Sequence, residues 1–292
     1  MMRIHDKDDA HIRDLYEAAR GAGIDFFDHA DIYGGRMHYC EERFSGALRL
    51  TPSERDEITL QTKCGIVPAE KAFDFSYEHI LRQVDGSLKA LDTDRIDVLL
   101  LHRPDALVEP EEVARAFDEL EASGKVRAFG VSNHTPRQID LLRTAVKQHL
   151  VANQLQLSLT HASMIAQPIA ANRESTEQSV NRDGGGILEY CRINGITVQA
   201  WSPMQAAGGA GTFVGNADYP ELNAVLDRLA GLHGSTPTGI AVAWITRHPA
   251  NMQVVMGTTT PERLVAAAQG SDVVLSRAEW YELYRAAGHL LP

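Results

Sequence analysis

Short runs of β-branched and apolar residues recur along the chain, each followed by a polar turn and then a stretch of helical periodicity. The runs are 24–30 (IDFFDHA), 57–64 (EITLQTKC), 96–102 (IDVLLLH), 128–133 (AFGVSN), 151–158 (VANQLQLS), 197–203 (TVQAWSP) and 253–258 (QVVMGT). Several are apolar at almost every position instead of every second one, the pattern of strands covered on both faces. Alternation of this kind, without a break in composition, predicts one α/β domain over residues 1–292 built on a parallel sheet.

Seven strands are countable, and eight close a (β/α)8 TIM barrel. The eighth belongs before residue 24 and its helix at 10–22, where residues 1–4 read as the stub of a first strand. The intervening helices show their buried stripes: Ile80, Val84, Leu88 and Leu91 on one, Val113, Phe117 and Leu120 on the next, with Gly124 just past its end. Pro136 opens a helix running to residue 146, and helices at 261–268 and 277–290 close the chain, the last one outside the barrel. The polar stretch 172–186 (NRESTEQSVNRDGGG) reads as a large loop, either a functional lid or a segment without order.

Composition removes several function classes. A net charge of −11 leaves no basic footprint for nucleic acid. Three cysteines, Cys40, Cys64 and Cys191, are too few and too scattered for a disulfide framework or a zinc site. The apolar run at 240–245 is far short of a membrane span, and the first residues lack a secretion signal. The expectation is a soluble, cytoplasmic protein without a metal; oligomeric state is not legible.

Catalytic groups in such barrels sit at the C-terminal ends of strands. Those ends carry Asp28, with Tyr33 just beyond, then Lys63, His102, Ser132, Asn133, Gln154, Trp201 and Ser202. Taken singly, His102 reads as a core histidine and Tyr33 as a turn aromatic before Gly34, while Trp201 reads as either a core aromatic or a stacking platform. Jointly, Asp, Tyr, Lys and His in successive units suit proton delivery to a carbonyl oxygen. A phenol is a poor acid that a nearby ammonium pulls toward neutrality, an aspartate holds that ammonium charged, and an imidazole steadies the oxygen.

The segments FDHADIYG (27–34), TKCG (62–65), LLLHRPD (99–105) and GKVRAFGVSN (124–133) resemble those of the aldo-keto reductases, and the likeness runs from about residue 24 onward. The resemblance implies a (β/α)8 barrel binding NADP(H), with NAD(H) second, and reducing a small-molecule aldehyde or ketone. Its catalytic tetrad carries over onto Asp28, Tyr33, Lys63 and His102, Tyr33 being the general acid. Ser132, Asn133 and Gln154 correspond to the carboxamide contacts, Trp201 to the stacking aromatic, and Ser202 to the start of the pyrophosphate loop. Gly257, Thr258 and Arg263 lie in the adenosine-phosphate segment GTTTPER (257–263). Three positions depart from the family pattern: Gly257 stands where lysine is common, Ala266 and Ala267 where adenine is contacted, and the N-terminal hairpin and most of the first strand are missing. Two other functions stay open at this point, a non-catalytic binding or regulatory protein on the same fold and a lyase using Lys63 as a Schiff-base amine.

Overall fold

Each apolar run forms a strand, and the residue parity along those strands decides which side chains meet. The computed structural model describes residues 1–169, 185–209 and 211–291. It divides into two compact units, residues 1–153 and 154–292.

In the first unit, helix α1 (Asp9–Gly21) precedes β1 (Phe26–Asp28), followed by α2 (Tyr39–Leu48), α3 (Pro52–Asp56) and β2 (Thr59–Cys64). A small antiparallel hairpin, β3 (Ile66–Val67) with β4 (Ala72–Phe73), leads into α4 (Tyr77–Ala90). Then come β5 (Ile96–Leu101), α5 (Pro110–Ala122), β6 (Val126–Ser132), α6 (Pro136–Leu142) and β7 (Leu150–Gln156). Sheet order is β1-β2-β5-β6-β7, with parallel pairing from β1 through β6.

Register explains the layering. Asp28, Gln61, Val98 and Ala128 stand in one row across four strands, and Lys63, Leu100 and Gly130 form the next. Successive side chains on a strand point to opposite faces, so one face carries Phe26, Val98, Leu100, Ala128 and Ala152, which pack together. Gly130 is required there: a Cβ would lie 2.7 Å from Leu100 Cδ2 and 2.7 Å from the Ala152 carbonyl oxygen. The other face is covered by helices. Phe27 stacks on Tyr16 of α1 at 5.2 Å between ring centroids, and Phe129 on Phe117 of α5 at 4.0 Å. That double coverage is why the strands read as apolar at nearly every position.

In the second unit, α7 (Ser163–Ile169) and α8 (Ile187–Ile193) precede β8 (Thr197–Trp201), and then follow α9 (Pro220–His233), α10 (Pro237–Thr246), β9 (Gln253–Val255), α11 (Pro261–Gly270) and α12 (Arg277–Ala286). The end of β7, β8 and β9 are neighbours in that order, β8 and β9 in parallel. Helix α10 is buried on every side, which accounts for its unbroken apolar run. Trp244 of α10 and Trp280 of α12 stack at 5.1 Å and exchange indole N–H bonds to each other's backbone carbonyl.

Three expectations need correction. Residues 1–4 form turns and not a strand: Ile4 is buried, the Met2 carbonyl accepts from the Cys40 thiol, and the Met1 ammonium donates to the Asp28 carbonyl, so side-chain and terminal contacts replace a ladder. The helix opened by Pro136 stops at Leu142, where Arg143, Thr144, Ala145 and Val146 turn back onto its last carbonyls. Helix α12 ends at Ala286, short of residue 290. Most of the loop at 172–186, residues 172–184, lies outside the described residues. Among the described residues no helix is long and apolar enough to cross a membrane.

Candidate active site

The tetrad candidates all fall in the first unit, and strand parity brings two of them face to face. Asp28 ends β1, Lys63 stands one position before the end of β2, and both lie on the face that holds Val98 and Leu100. His102 follows β5 directly, its N–H donating to the Cys64 carbonyl at 2.9 Å. Tyr33 sits in a tight loop tied to β2 by the Asp31 N–H, which donates to the Lys63 carbonyl at 3.1 Å. Gly34 lets that loop turn immediately after Tyr33: its φ is +100°, and a Cβ would press on Tyr39 and Cys40 at 3.0 Å.

The centre of the site is the Lys63 ammonium, whose side chain is fully buried. It donates to both Asp28 carboxylate oxygens at 2.7 and 2.6 Å, to the His29 carbonyl at 2.6 Å and to the Tyr33 hydroxyl at 3.3 Å. The His102 ring stands edge-on to the Tyr33 ring, 5.9 Å between centroids. Four groups from three separate stretches of chain thus share one cluster.

Each charge state follows from this packing. Burial pushes the Asp28 carboxyl up, but Lys63, the Met1 ammonium and Gln61 hold it below its ordinary value. Burial pushes the Lys63 ammonium down, and Asp28 and Tyr33 more than reverse that, so it stays charged. His102 is lowered to about 3 by burial and by the neighbouring Lys63 charge, leaving a neutral imidazole at physiological pH. Its buried Nδ1 has no hydrogen-bond partner among the described residues. An unmet acceptor is better tolerated than an unmet donor, which favours the tautomer with the proton on Nε2.

Tyr33 departs from the expectation. Burial raises its phenol, and although Lys63 lowers it, Asp28 and Asp31 add to the rise, so the net shift is upward and not toward neutrality. Desolvation of the incipient phenolate outweighs the ammonium at 3.3 Å. The hydroxyl therefore keeps its proton at neutral pH.

Ser132 ends β6, and Asn133 follows it in a left-handed backbone conformation (φ 61°), its amide donating to Ser132 Oγ at 2.8 Å and to the His102 carbonyl at 3.4 Å. In the second unit, Gln154 donates to Gln199 Oε1 at 3.1 Å, and Gln199 in turn to Gln253 Oε1 at 3.0 Å, a ladder of amides across β7, β8 and β9. Trp201 ends β8 and Ser202 follows with φ 52°, again left-handed. Non-glycine residues held in that region concentrate at functional sites. Gly257 and Thr258 lie in the irregular segment between β9 and α11, and Arg263 is exposed in the first turn of α11, whose N-cap Thr260 makes no side-chain cap. No group of three or more potential metal ligands occurs among the described residues.

Two features escaped the sequence reading. Gln61 donates to Asp28 Oδ1 at 2.5 Å; it stands two positions before Lys63, and parity alone could have flagged it. Behind β2, buried Glu41 of α2 accepts from Thr62 at 2.5 Å, from Ser87 at 3.1 Å and contacts His38 Nδ1 at 2.7 Å. Asp31 is fully buried beside them, raised to about 8 by burial and by the Glu41 charge.

Known proteins share this chain's family and fold. A model of the "Aldo/keto reductase family" matches residues 1–287. The chain is 39% identical to a 6-dehydroglucose reductase of Agrobacterium fabrum (strain C58), covering 98% of this chain and 92% of that protein. It is 37% identical to the uncharacterized oxidoreductase YcsN of Bacillus subtilis (strain 168), covering 97% and 91%. In fold it is similar to an aldo/keto reductase from Klebsiella pneumoniae solved in complex with NADP and acetate, at a TM-score of 0.72 and 24% identity over 94% of this chain and 86% of that one. The fold class is the (β/α)8 barrel class.

Proposed function

The chain belongs to the aldo/keto reductase family, and from that premise we propose that it is an NADP(H)-dependent reductase of a small-molecule aldehyde or ketone, with Tyr33, Lys63, Asp28 and His102 as its catalytic residues. The observation that carries the reading is the buried Lys63 ammonium shared between the Asp28 carboxylate and the Tyr33 hydroxyl.

In the reduction, the Tyr33 hydroxyl donates its proton to the carbonyl oxygen, and the Lys63 ammonium stabilises the phenolate left behind. Asp28 holds that ammonium charged and aimed. The neutral His102 donates its Nε2 proton as a hydrogen bond to the same oxygen, stabilising the negative charge that develops there without competing for the proton. NADPH, when bound, supplies the hydride that the carbonyl carbon accepts. Alcohol oxidation runs the same groups in reverse, with the Tyr33 phenolate as base.

The residues present fit that cofactor in their donor chemistry. In the first unit Ser132 and Asn133 offer a hydroxyl and an amide, groups suited to a carboxamide, and in the second Gln154 offers an amide backed by Gln199 and Gln253. Trp201 would stack on the ring and Ser202 would begin the pyrophosphate contacts. Gly257 and Thr258 would pass beside the adenosine phosphates. The α11 N-terminus, with no side-chain cap, and Arg263 in its first turn suit a phosphate dianion. This favours NADP(H) over NAD(H).

The Schiff-base lyase reading needs a neutral amine, whereas Lys63 is raised and bonded to a carboxylate. Within the carbonyl class, oxidised sugars are the first substrates to test, because one relative is named a 6-dehydroglucose reductase. The test is NADPH oxidation over a panel of aldehydes, ketones and oxidised sugars. Tyr33→Phe is expected to lose at least a hundredfold in kcat, in line with general-acid catalysis contributing about 10²–10⁴-fold, while binding NADPH as the parent does. Retained turnover would refute the assignment.

A further inference from the structure

Gln61 is a polar residue in the middle of a strand, fully buried, and its side-chain amide donates to a charged group. Its own carbonyl accepts from the His29 N–H at 2.8 Å, so the sheet ladder is served by the main chain and the amide is left for other work. In register it stands opposite Asp28 on one side and Val98 on the other. It therefore lies between Asp28 and the apolar Val98 and Ala128 of its own row, beside the row of Lys63 and Leu100.

We propose that Gln61 is a positioning residue for the reaction: by donating to Asp28 Oδ1 it fixes the carboxylate so that the Lys63 ammonium stays balanced between Asp28 and the Tyr33 hydroxyl. The inference rests on the proposed roles of Asp28, Lys63 and Tyr33. An ammonium has three protons, and here they go to Asp28, the His29 carbonyl and Tyr33, the last being the longest contact at 3.3 Å against 2.6–2.7 Å for the others. That longest contact is the first to weaken if Asp28 becomes a stronger acceptor. Gln61 takes up part of the Oδ1 acceptor capacity. Without it, the carboxylate draws harder on Lys63, and the ammonium moves toward Asp28 and away from the phenol.

The charged and titratable groups facing this centre come from every side. Lys63 belongs to β2, Asp28 to β1, Asp31 to the loop of Tyr33, His102 follows β5, and the Met1 ammonium lies against Asp28. His102 is neutral across the working range, so the phenol responds chiefly to Lys63 and its distance. Weaker support from Lys63 leaves the phenol a poorer acid, and the limb of the pH profile that reports Tyr33 moves to higher pH.

The experiment is a double-mutant cycle of Gln61→Met, which keeps length and removes the donor, with Asp28→Asn. Gln61→Met is expected to lower kcat by about ten- to a hundredfold, the range of a hydrogen bond to a charged group. KM and the NADPH dissociation constant, read by tryptophan fluorescence quenching, stay within about twofold of the parent. The Tyr33 limb moves to higher pH. In the Asp28→Asn background the same change has little further effect, because the carboxylate charge that Gln61 balances against Lys63 is gone. An equal loss in both backgrounds, or an unmoved limb, overturns the inference. If Asp28→Asn and Tyr33→Phe themselves leave turnover intact, it is the catalytic assignment that fails. Should Gln61→Met not fold, Gln61→Glu decides the matter. Two adjoining buried carboxyls share a proton, so at low pH this variant still donates an O–H to Asp28 and keeps most of the parent's kcat, losing it as pH rises. A Gln61→Glu profile parallel to the parent's overturns the proposal.

Discussion

Replacing Lys63 by methionine removes the ammonium while keeping the buried stem, and leaves the Asp28 carboxylate, 11% exposed, without its bidentate partner. Breaking a buried pair from one side destabilises by about 3–5 kcal/mol. Unfolding entropy of roughly 2.1 cal/mol/K per residue gives 292 residues about 0.6 kcal/mol per degree, so Tm should fall by about 5–8 °C at pH 7. The pH dependence carries the stronger test. In the parent, Asp28 lies below its ordinary 3.8, so its stabilisation is complete above that value and is lost only as pH falls through the lower folded one. In Lys63→Met, burial is the largest remaining influence and raises Asp28, so the penalty is full at neutral pH and fades as the carboxyl protonates on acidification. Scanning calorimetry at pH 7 and pH 4.5 should show the gap between variant and parent narrowing. Pairing Lys63→Met with Asp28→Leu should recover much of the lost stability at pH 7. A gap that is absent at neutral pH, or that widens toward pH 4.5, would refute the reasoning.

Asp31, raised to about 8 by burial and Glu41, makes the opposite contribution. Its folded value lies above the unfolded one, so the parent loses stability progressively as pH rises from about 4 to 8. Asp31→Asn should therefore gain stability over the parent by more at pH 8 than at pH 5, and an equal difference at both would count against the shift. Arg263→Ala should weaken NADPH by about ten- to a hundredfold through loss of a charge-assisted contact. NADH should change by less than about twofold, and equal effects on both cofactors in fluorescence titrations would remove Arg263 from the phosphate site.

Much of the architecture was legible because burial on both faces leaves a local signature. All seven apolar runs form strands, and the helix at 10–22 and those with stripes at Ile80 and Val113 are present. The hairpin of β3 and β4 was not, since two residues per strand are too few to show a period. Residues 1–4 were assigned a strand by their place before α1 in an eight-strand count, but a strand is defined by a ladder partner, and here the segment is held by Ile4, Met2 and Met1 contacts instead. Glu41, Thr62, Ser87 and Asp31 belong to four separate elements or loops, and no periodicity within one element announces that they meet.

The places of the seven apolar strands, and the parity that puts Gln61 and Lys63 on one face of β2, are properties of short stretches of chain and so lie in the amino-acid sequence, whereas the register that sets Asp28 beside them belongs to the folded sheet. The acidity of Tyr33 was another matter. Proximity to a lysine suggested a lowered phenol, yet burial raises it, and Asp28 and Asp31 reinforce the rise. Desolvation depends on everything packed around a group, from β1, β2 and the chain after β5 at once, and that sum exists only in the folded molecule.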